Sequence, residues 1–400
     1  MLKFFKKLNI SFIDLLVILV FFLLAGFFYF GFFHPAPHIL EGSAVKYLII
    51  AIKVLIPLIT FGIIYLYIDF RRKKISAGSL LLLFITIVMF SLIVYPLLNY
   101  FYEKKSQKYY DEYHSFLQRT PAMLSSIDTA DYNIFCLGGS TTEWGDNQGR
   151  FWPTMLESEL KREYELNRLK VFNLGKAWYT AQHSLINYLQ NLHHYKPKVI
   201  LFMHAINDAW VNVDFSRFSN GRFREDYGHY LGPAAYVVKY PSLAAYIVDS
   251  FNLLWYADNL VEIESENFPG IISFERNLNL IIEISRIHNT KVVLITEPTI
   301  YKESMTAVEL ESLEMYNQEA VGEGKKWTYI TAFKALNMYN DKIREVAIKQ
   351  QVLLIDLEKA IPKSLEYFRD DVHYQDKAFD LISKFISENM KPLLVPNSIK

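Results

Sequence analysis

Apolar positions divide the chain in two. In the first hundred residues, three stretches carry almost no charge and show no polar face: "SFIDLLVILVFFLLAGFFYFGFF" (11–33), the region 47–69 that opens "YLIIAIKVLIPLITFGIIYLYI", and "SLLLLFITIVMFSLIVYPLLNYF" (79–101). Each is long enough to cross a hydrocarbon core of about 30 Å, and a buried helix of a soluble protein would show a polar stripe at this length. They predict three transmembrane helices. Lys53, near one end of the second, can reach the interface along its own stem. The first stretch is too long for the core of a cleaved signal peptide, and no A-x-A-like site follows it.

From residue 131 the pattern changes. Short apolar runs, "NIFCL" (133–137), "KVFNL" (170–174), "KVILFMH" (198–204), "KVVLIT" (291–296) and "VLLIDL" (352–357), alternate with helical patterns such as "FWPTMLESELKREYEL", "ERNLNLIIEISRIH" and "NMYNDKIREVAIKQ". Strands alternating with helices predict an α/β fold with a parallel sheet covered by helices on both faces, and continuous apolar runs suit strands buried on both sides. The domain is expected over 131–395. Residues 102–130, polar and aromatic and broken by Pro121, read as a juxtamembrane helix and linker. The interval 209–270 is too long for an ordinary connection and is read as an insertion over one end of the sheet. Its aromatics, among them Trp210, Phe215, Phe218, Tyr227 and Tyr230, are expected to form its own small core; stacking on sugars or contact with lipid are the alternatives.

Charge adds a direction. Lys+Arg and Asp+Glu both number 42 in 400 residues, so nothing in the balance favours nucleic acid. Lys3, Lys6 and Lys7 precede the first stretch and Arg71, Arg72, Lys73 and Lys74 separate the second from the third, whereas the intervening loop "HPAPHILEGSAVK" has one Lys. Positive residues stay inside, so the N-terminus and the RRKK loop are expected in the cytoplasm and the domain over 131–395 on the extracytoplasmic side. Lys104, Lys105 and Lys108 oppose this assignment. Cys136 is the single cysteine, which rules out an intrachain disulfide; it reads as a small core residue.

The candidate chemistry lies at strand ends. In open parallel sheets ligands bind beyond the carboxyl ends of the strands. "IFCLGGSTTEW" (134–144) leaves the first strand through Gly138 and Gly139, which permit a tight turn, and places Ser140 at the start of a helix, where free backbone N–H groups suit a developing oxyanion. The glycines match neither a phosphate loop nor a dinucleotide fingerprint, and Thr142 stands where the G-x-S-x-G elbow needs its last glycine. A serine needs a base oriented by a carboxylate. "FRDDVHYQDKAF" supplies Asp370 and His373, three apart, just before an amphipathic helix. "VILFMHAINDAW" runs a buried strand into Asn207 and Asp208, and the Asn207 amide can donate to an oxyanion. "VFNLGKAWYTAQ" ends strand two at Asn173–Gly175, where backbone N–H groups can add another donor. His193 and His194 are adjacent and do not share a helix face, and no metal or cofactor set is visible.

Taken together, these motifs resemble the SGNH hydrolases, the GDSL esterase/lipase superfamily, over roughly 131–395. The resemblance implies a flavodoxin-like three-layer α/β/α domain. It makes Ser140 ("GGST") the nucleophile and its N–H an oxyanion donor, Asn207 ("AIND") the side-chain donor, His373 ("DDVH") the base and Asp370 its orienter, with Asp371 a decoy. The sequence departs from the family at three places. Gly-Gly-Ser replaces Gly-Asp-Ser, Ala205 replaces the glycine of the third block, and Trp178 occupies the position of the usual oxyanion glycine of the second, while Gly175 keeps the earlier one. The implied activity is acyl transfer through an acyl-serine without metal or cofactor: a membrane-anchored esterase acting on an envelope carbohydrate or lipid. The alternatives are an O-acyltransferase that modifies an envelope polysaccharide with a membrane partner delivering the acyl group, and a catalytically inactive glycan-binding scaffold.

Overall fold

The computed structural model describes residues 61–76, scattered positions between 78 and 121, and then 124–232, 260–319 and 322–394. The predicted span at 11–33, most of the one at 47–69, and the middle of the 209–270 interval lie outside the described residues. The chain divides into two units; the sheet, the core and the site lie in the second, residues 106–239 and 261–400. In the first unit, 61–71 is helical, as are the described positions from 78 to 101. Among the described residues no helix is long and apolar enough to cross a membrane.

Five parallel strands build the main sheet: β1 (Tyr132–Gly138), β2 (Leu169–Asn173), β3 (Val199–Met203), β5 (Lys291–Ile295) and β7 (Leu353–Ile355). Their spatial order is β2-β1-β3-β5-β7, the flavodoxin-like order. Every expected apolar run forms one of them. β4 (Val261–Ile263) and β6 (Lys325–Trp327) form a separate parallel pair that the apolar pattern does not predict.

The register is continuous across the sheet: Ile134 pairs with Val171 on one side and Val199 on the other, and Val199 pairs with Lys291. β3 is buried along its whole length, as a strand covered on both faces must be. The long helices provide the cover. α2 (Trp152–Tyr164) starts on a proline in its first turn and buries Trp152, Leu156 and Leu160 at a four-residue spacing. It packs beside α7 (Asp376–Asn389), where the Tyr164 hydroxyl donates to the Ser387 carbonyl (3.2 Å). α3 (Ala181–Gln190), α5 (Gly270–Ile287) and α6 (Tyr329–Gln350) form the other group, with α5 between its neighbours. Right-handed crossovers put these two groups on opposite faces. Burying each Leu, Ile or Phe of this core contributes roughly 1.5–3 kcal/mol.

In the described part of 209–270, Trp210 and Phe215 join the main hydrophobic core rather than a separate one, and Trp210 stacks on Trp327 with ring centroids 5.5 Å apart.

Candidate active site

β1 and β3 are neighbours, yet the chain leaves β1 for β2 on one side and β3 for β5 on the other. The crevice beyond their carboxyl ends is the topological switch point, where ligands bind in open α/β sheets. α1 (Ser140–Glu143) begins directly after β1, and α4 (Ile206–Trp210) shortly after β3. Ser140 and Asn207 therefore both stand at this crevice. Both turn glycines are required by close approach: a β-carbon at 138 would lie 2.1 Å from Thr142 Oγ1, and one at 139 would lie 2.9 Å from Asn207 Nδ2.

His373 comes from the last turn before α7. Phe368 and Tyr374 form an antiparallel bridge, and the Arg369 N–H donates to the His373 carbonyl (3.0 Å), so residues 369–373 close a small hairpin. Asp370 Oδ1 accepts from the N–H groups of Val372 (2.9 Å) and His373 (2.7 Å), which folds the turn onto its own carboxylate. Asp370 Oδ2 lies 2.8 Å from His373 Nδ1, and His373 Nε2 lies 2.8 Å from Ser140 Oγ. A carboxylate only accepts, so Nδ1 carries the proton and Nε2 accepts from the serine hydroxyl. Burial alone would raise the Asp370 carboxyl. The bond and charge of His373 and the two backbone N–H groups outweigh it and hold the group below its ordinary value.

Asp371 turns the other way. It is buried and accepts from the Tyr301 hydroxyl (3.0 Å) and the N–H groups of Met315 (3.1 Å) and Tyr316 (2.9 Å). Burial, with the neighbouring Asp370 charge, pushes its carboxyl up.

Next to Gly139, Asn207 Nδ2 donates to the Tyr179 carbonyl (2.8 Å). That bond aims the amide and uses one of its two N–H groups, leaving the second for another acceptor. The Gly175 N–H, also expected as an oxyanion donor, donates to Asn173 Oδ1 (3.1 Å) within its own turn. That glycine is needed because a β-carbon there would lie 2.7 Å from the Glu143 nitrogen. Trp178 has φ +66°, the left-handed conformation that glycine adopts readily and an indole residue rarely does. A tryptophan thus holds the backbone shape of a glycine position. Its loop is fastened to α1 by Glu143, which accepts from Lys176 Nζ (2.8 Å) and the Ala177 N–H (2.6 Å).

Three further groups shape the site. Glu297, just after β5, is buried and accepts from Thr141 Oγ1 (2.5 Å) and the N–H groups of Ala205 (2.7 Å) and Ile206 (2.9 Å). One carboxylate thereby joins the turn carrying Ser140 to the helix carrying Asn207. Asp208 accepts from the Ala181 N–H (2.9 Å) and the Tyr227 hydroxyl (3.1 Å); burial, with the Glu297 charge adding, pushes its carboxyl up to about 8. Trp144 stacks on the His373 ring. Glu297 follows an apolar run as Ser140 and Asn207 do, the one sequence signal that marks it. His193 and His194 sit side by side, ring centroids 3.8 Å apart, and His193 Nδ1 meets the Tyr188 carbonyl (3.0 Å).

A hydroxyl, an imidazole and a carboxylate in one line, beside free N–H donors, can move a proton off the hydroxyl and accept charge on an attacked carbonyl oxygen. The chain matches the model of the GDSL-like lipase/acylhydrolase family over residues 136–381. No curated protein matches it. Among solved structures it is similar to LAE5, an alpha/beta hydrolase from the metagenome of Lake Arreo, Spain, at 16% identity and TM-score 0.40, covering 66% of this chain and 96% of that one. It is similar to a lipase/acylhydrolase from Enterococcus faecalis at 16% identity and TM-score 0.40, with coverage of 67% and 99%. It is also similar to Axe2, an acetylxylan esterase from Geobacillus stearothermophilus, at 12% identity and TM-score 0.41, with coverage of 66% and 97%. The family match spans more than half of the sequence: the chain belongs to the GDSL-like lipase/acylhydrolase family and is a hydrolase acting on ester bonds.

Proposed function

We propose that this chain is a membrane-anchored serine esterase of the SGNH type, with Ser140 as nucleophile, His373 as base and Asp370 as its orienter. Its substrate is an acylated carbohydrate or lipid of the cell envelope, reached on the extracytoplasmic side. The observation that carries this reading is the pair of 2.8 Å contacts on the two nitrogens of His373, one to Ser140 Oγ and one to Asp370.

Nε2 takes the Ser140 proton as Oγ attacks the ester carbonyl, and Asp370 stabilises the imidazolium that forms. The oxyanion is received by the Ser140 N–H, the second N–H of the Asn207 amide and the backbone N–H of Trp178. Loss of one such donor costs about 3–4 kcal/mol in the barrier. Collapse breaks the bond to the alcohol, which takes the proton from Nε2 and leaves an acyl-serine. Water then attacks with His373 again as base. An O-acyltransferase would differ only in using another hydroxyl at this step.

The anchoring rests on the three apolar stretches and their flanking charges. It gains support from the side chains between 61 and 101, where Phe61, Leu82, Leu92 and Ile93 are each at least 63% exposed. Apolar surface costs roughly 25 cal/mol per Å² in water, and lipid removes that cost. Protease applied to intact spheroplasts is expected to trim the chain beyond Phe101, and isolated envelope is expected to release its acyl groups to water with the wild type and not with Ser140→Ala. Full protection would overturn the topology, and equal release by both proteins would overturn the role of Ser140.

A further inference from the structure

A small hollow is lined by Trp178, Trp210, Val213, Ser216, Phe218, Tyr230 and Met315. It exposes only apolar atoms, and its enclosed room is about that of one water- or methyl-sized group. Trp178 forms one wall, stacked on Phe218 with ring centroids 4.1 Å apart, and the Tyr230 hydroxyl donates to the Trp178 carbonyl (3.2 Å). A glycine at 178 could take the same left-handed backbone but would leave this wall missing.

Two features identify the half of an ester that belongs here. The leaving alcohol must receive its proton from His373 Nε2, so it departs on the imidazole side. The donors take the carbonyl oxygen, and the acyl chain takes the remaining direction, along the segments that carry them: Trp178 precedes the Tyr179 carbonyl that holds Asn207, and Trp210 follows Asn207 by three residues on α4. The second feature is polarity. The surface that the hollow exposes is apolar, which suits an acyl methyl better than a sugar carrying several hydroxyls.

We infer that the hollow is the acyl pocket and that Trp178 restricts the enzyme to acetyl and similarly short acyl groups. The inference rests on the proposed role of Ser140 as nucleophile. In a fitted apolar pocket one methylene changes kcat/KM by about 10–200-fold, so chain length is a sensitive readout.

The test compares p-nitrophenyl acetate with p-nitrophenyl hexanoate in the full-length chain in detergent. The wild type is expected to favour acetate at least tenfold in kcat/KM. Trp178→Gly keeps the backbone N–H, fits the left-handed conformation and removes the wall; it is expected to raise the hexanoate-to-acetate ratio tenfold or more. Phe218→Ala, a second variant that leaves residue 178 in place, is expected to shift the ratio the same way by about threefold. A wild type that hydrolyses both esters equally overturns the inference, as does a ratio unchanged in whichever variants keep the wild-type melting transition. Failure of the underlying reading looks different: Ser140→Ala would still hydrolyse the acetate ester.

Discussion

The indole of Trp144 lies stacked on the imidazole of His373, with ring centroids 4.3 Å apart and planes 24° from parallel. The backbone N–H of Trp144 donates to the Ser140 carbonyl (2.8 Å), so the residues that touch the edge and the face of the imidazole stand one helical turn apart. The Arg369 guanidinium lies over the Trp144 ring at 5.3 Å, and its Nε is 3.5 Å from Asp370 Oδ2. Ser140 and Asp370 fix the two nitrogens of the ring, and Trp144 fixes its plane.

An aromatic pair of this kind contributes about 0.5–1.5 kcal/mol beyond its burial, roughly a two- to twelvefold effect. Trp144→Leu is therefore expected to lower kcat by about that factor with KM little changed, and Trp144→Phe to recover most of the loss. Steady-state kinetics on one ester check this, and a Leu variant with the wild-type kcat would remove Trp144 from the account.

Asn207→Ala removes the amide donor and the tie to the Tyr179 carbonyl together. Its kcat is expected to fall by about 10²–10³, with the melting temperature changed much less than kcat. A fall below tenfold would take Asn207 out of the oxyanion site.

Glu297→Ala strands the Thr141 hydroxyl and two backbone N–H groups in the interior, each at about 1–3 kcal/mol. A large drop in melting temperature and in kcat is expected, since the carboxylate joins the Ser140 turn to α4. Glu297→Gln retains one acceptor oxygen and is expected to fall between the two. An Ala variant as stable as the wild type would show that the three donors find other partners.

The five strands of the main sheet were legible because strands buried on both faces must be apolar throughout. β4 and β6 were not, since Val261 and Glu262 are exposed and leave no run to detect. The D-x-x-H spacing alone does not separate Asp370 from Asp371; the hairpin does, turning one toward His373 and the other toward Tyr301. Glu297 stands 156 residues from Thr141, and no local pattern announces so distant a partner. Nor does the sequence reveal a left-handed backbone at Trp178, because side-chain identity there argues against it. Gly175 carries the familiar spacing, yet its N–H serves Asn173.

Asp208 contributes one part of the pH response of stability. Its folded carboxyl is pushed up to about 8 from an ordinary 3.8, so between these values the folded chain holds a proton that the unfolded chain releases. Its contribution is complete below about pH 4 and is lost as pH rises toward 8. Melting temperature is expected to fall over that range, and the fall to be shallower in Asp208→Asn. Identical slopes in the two proteins would refute this origin.

The most direct measurement treats the full-length protein with a fluorophosphonate probe and maps the modified residue by mass spectrometry. The expected result is one adduct per chain, on Ser140, with labelling at least a hundredfold slower in His373→Ala. An adduct on a different serine, or an unmodified Ser140 in protein that has lost its esterase activity to the probe, would contradict the central claim.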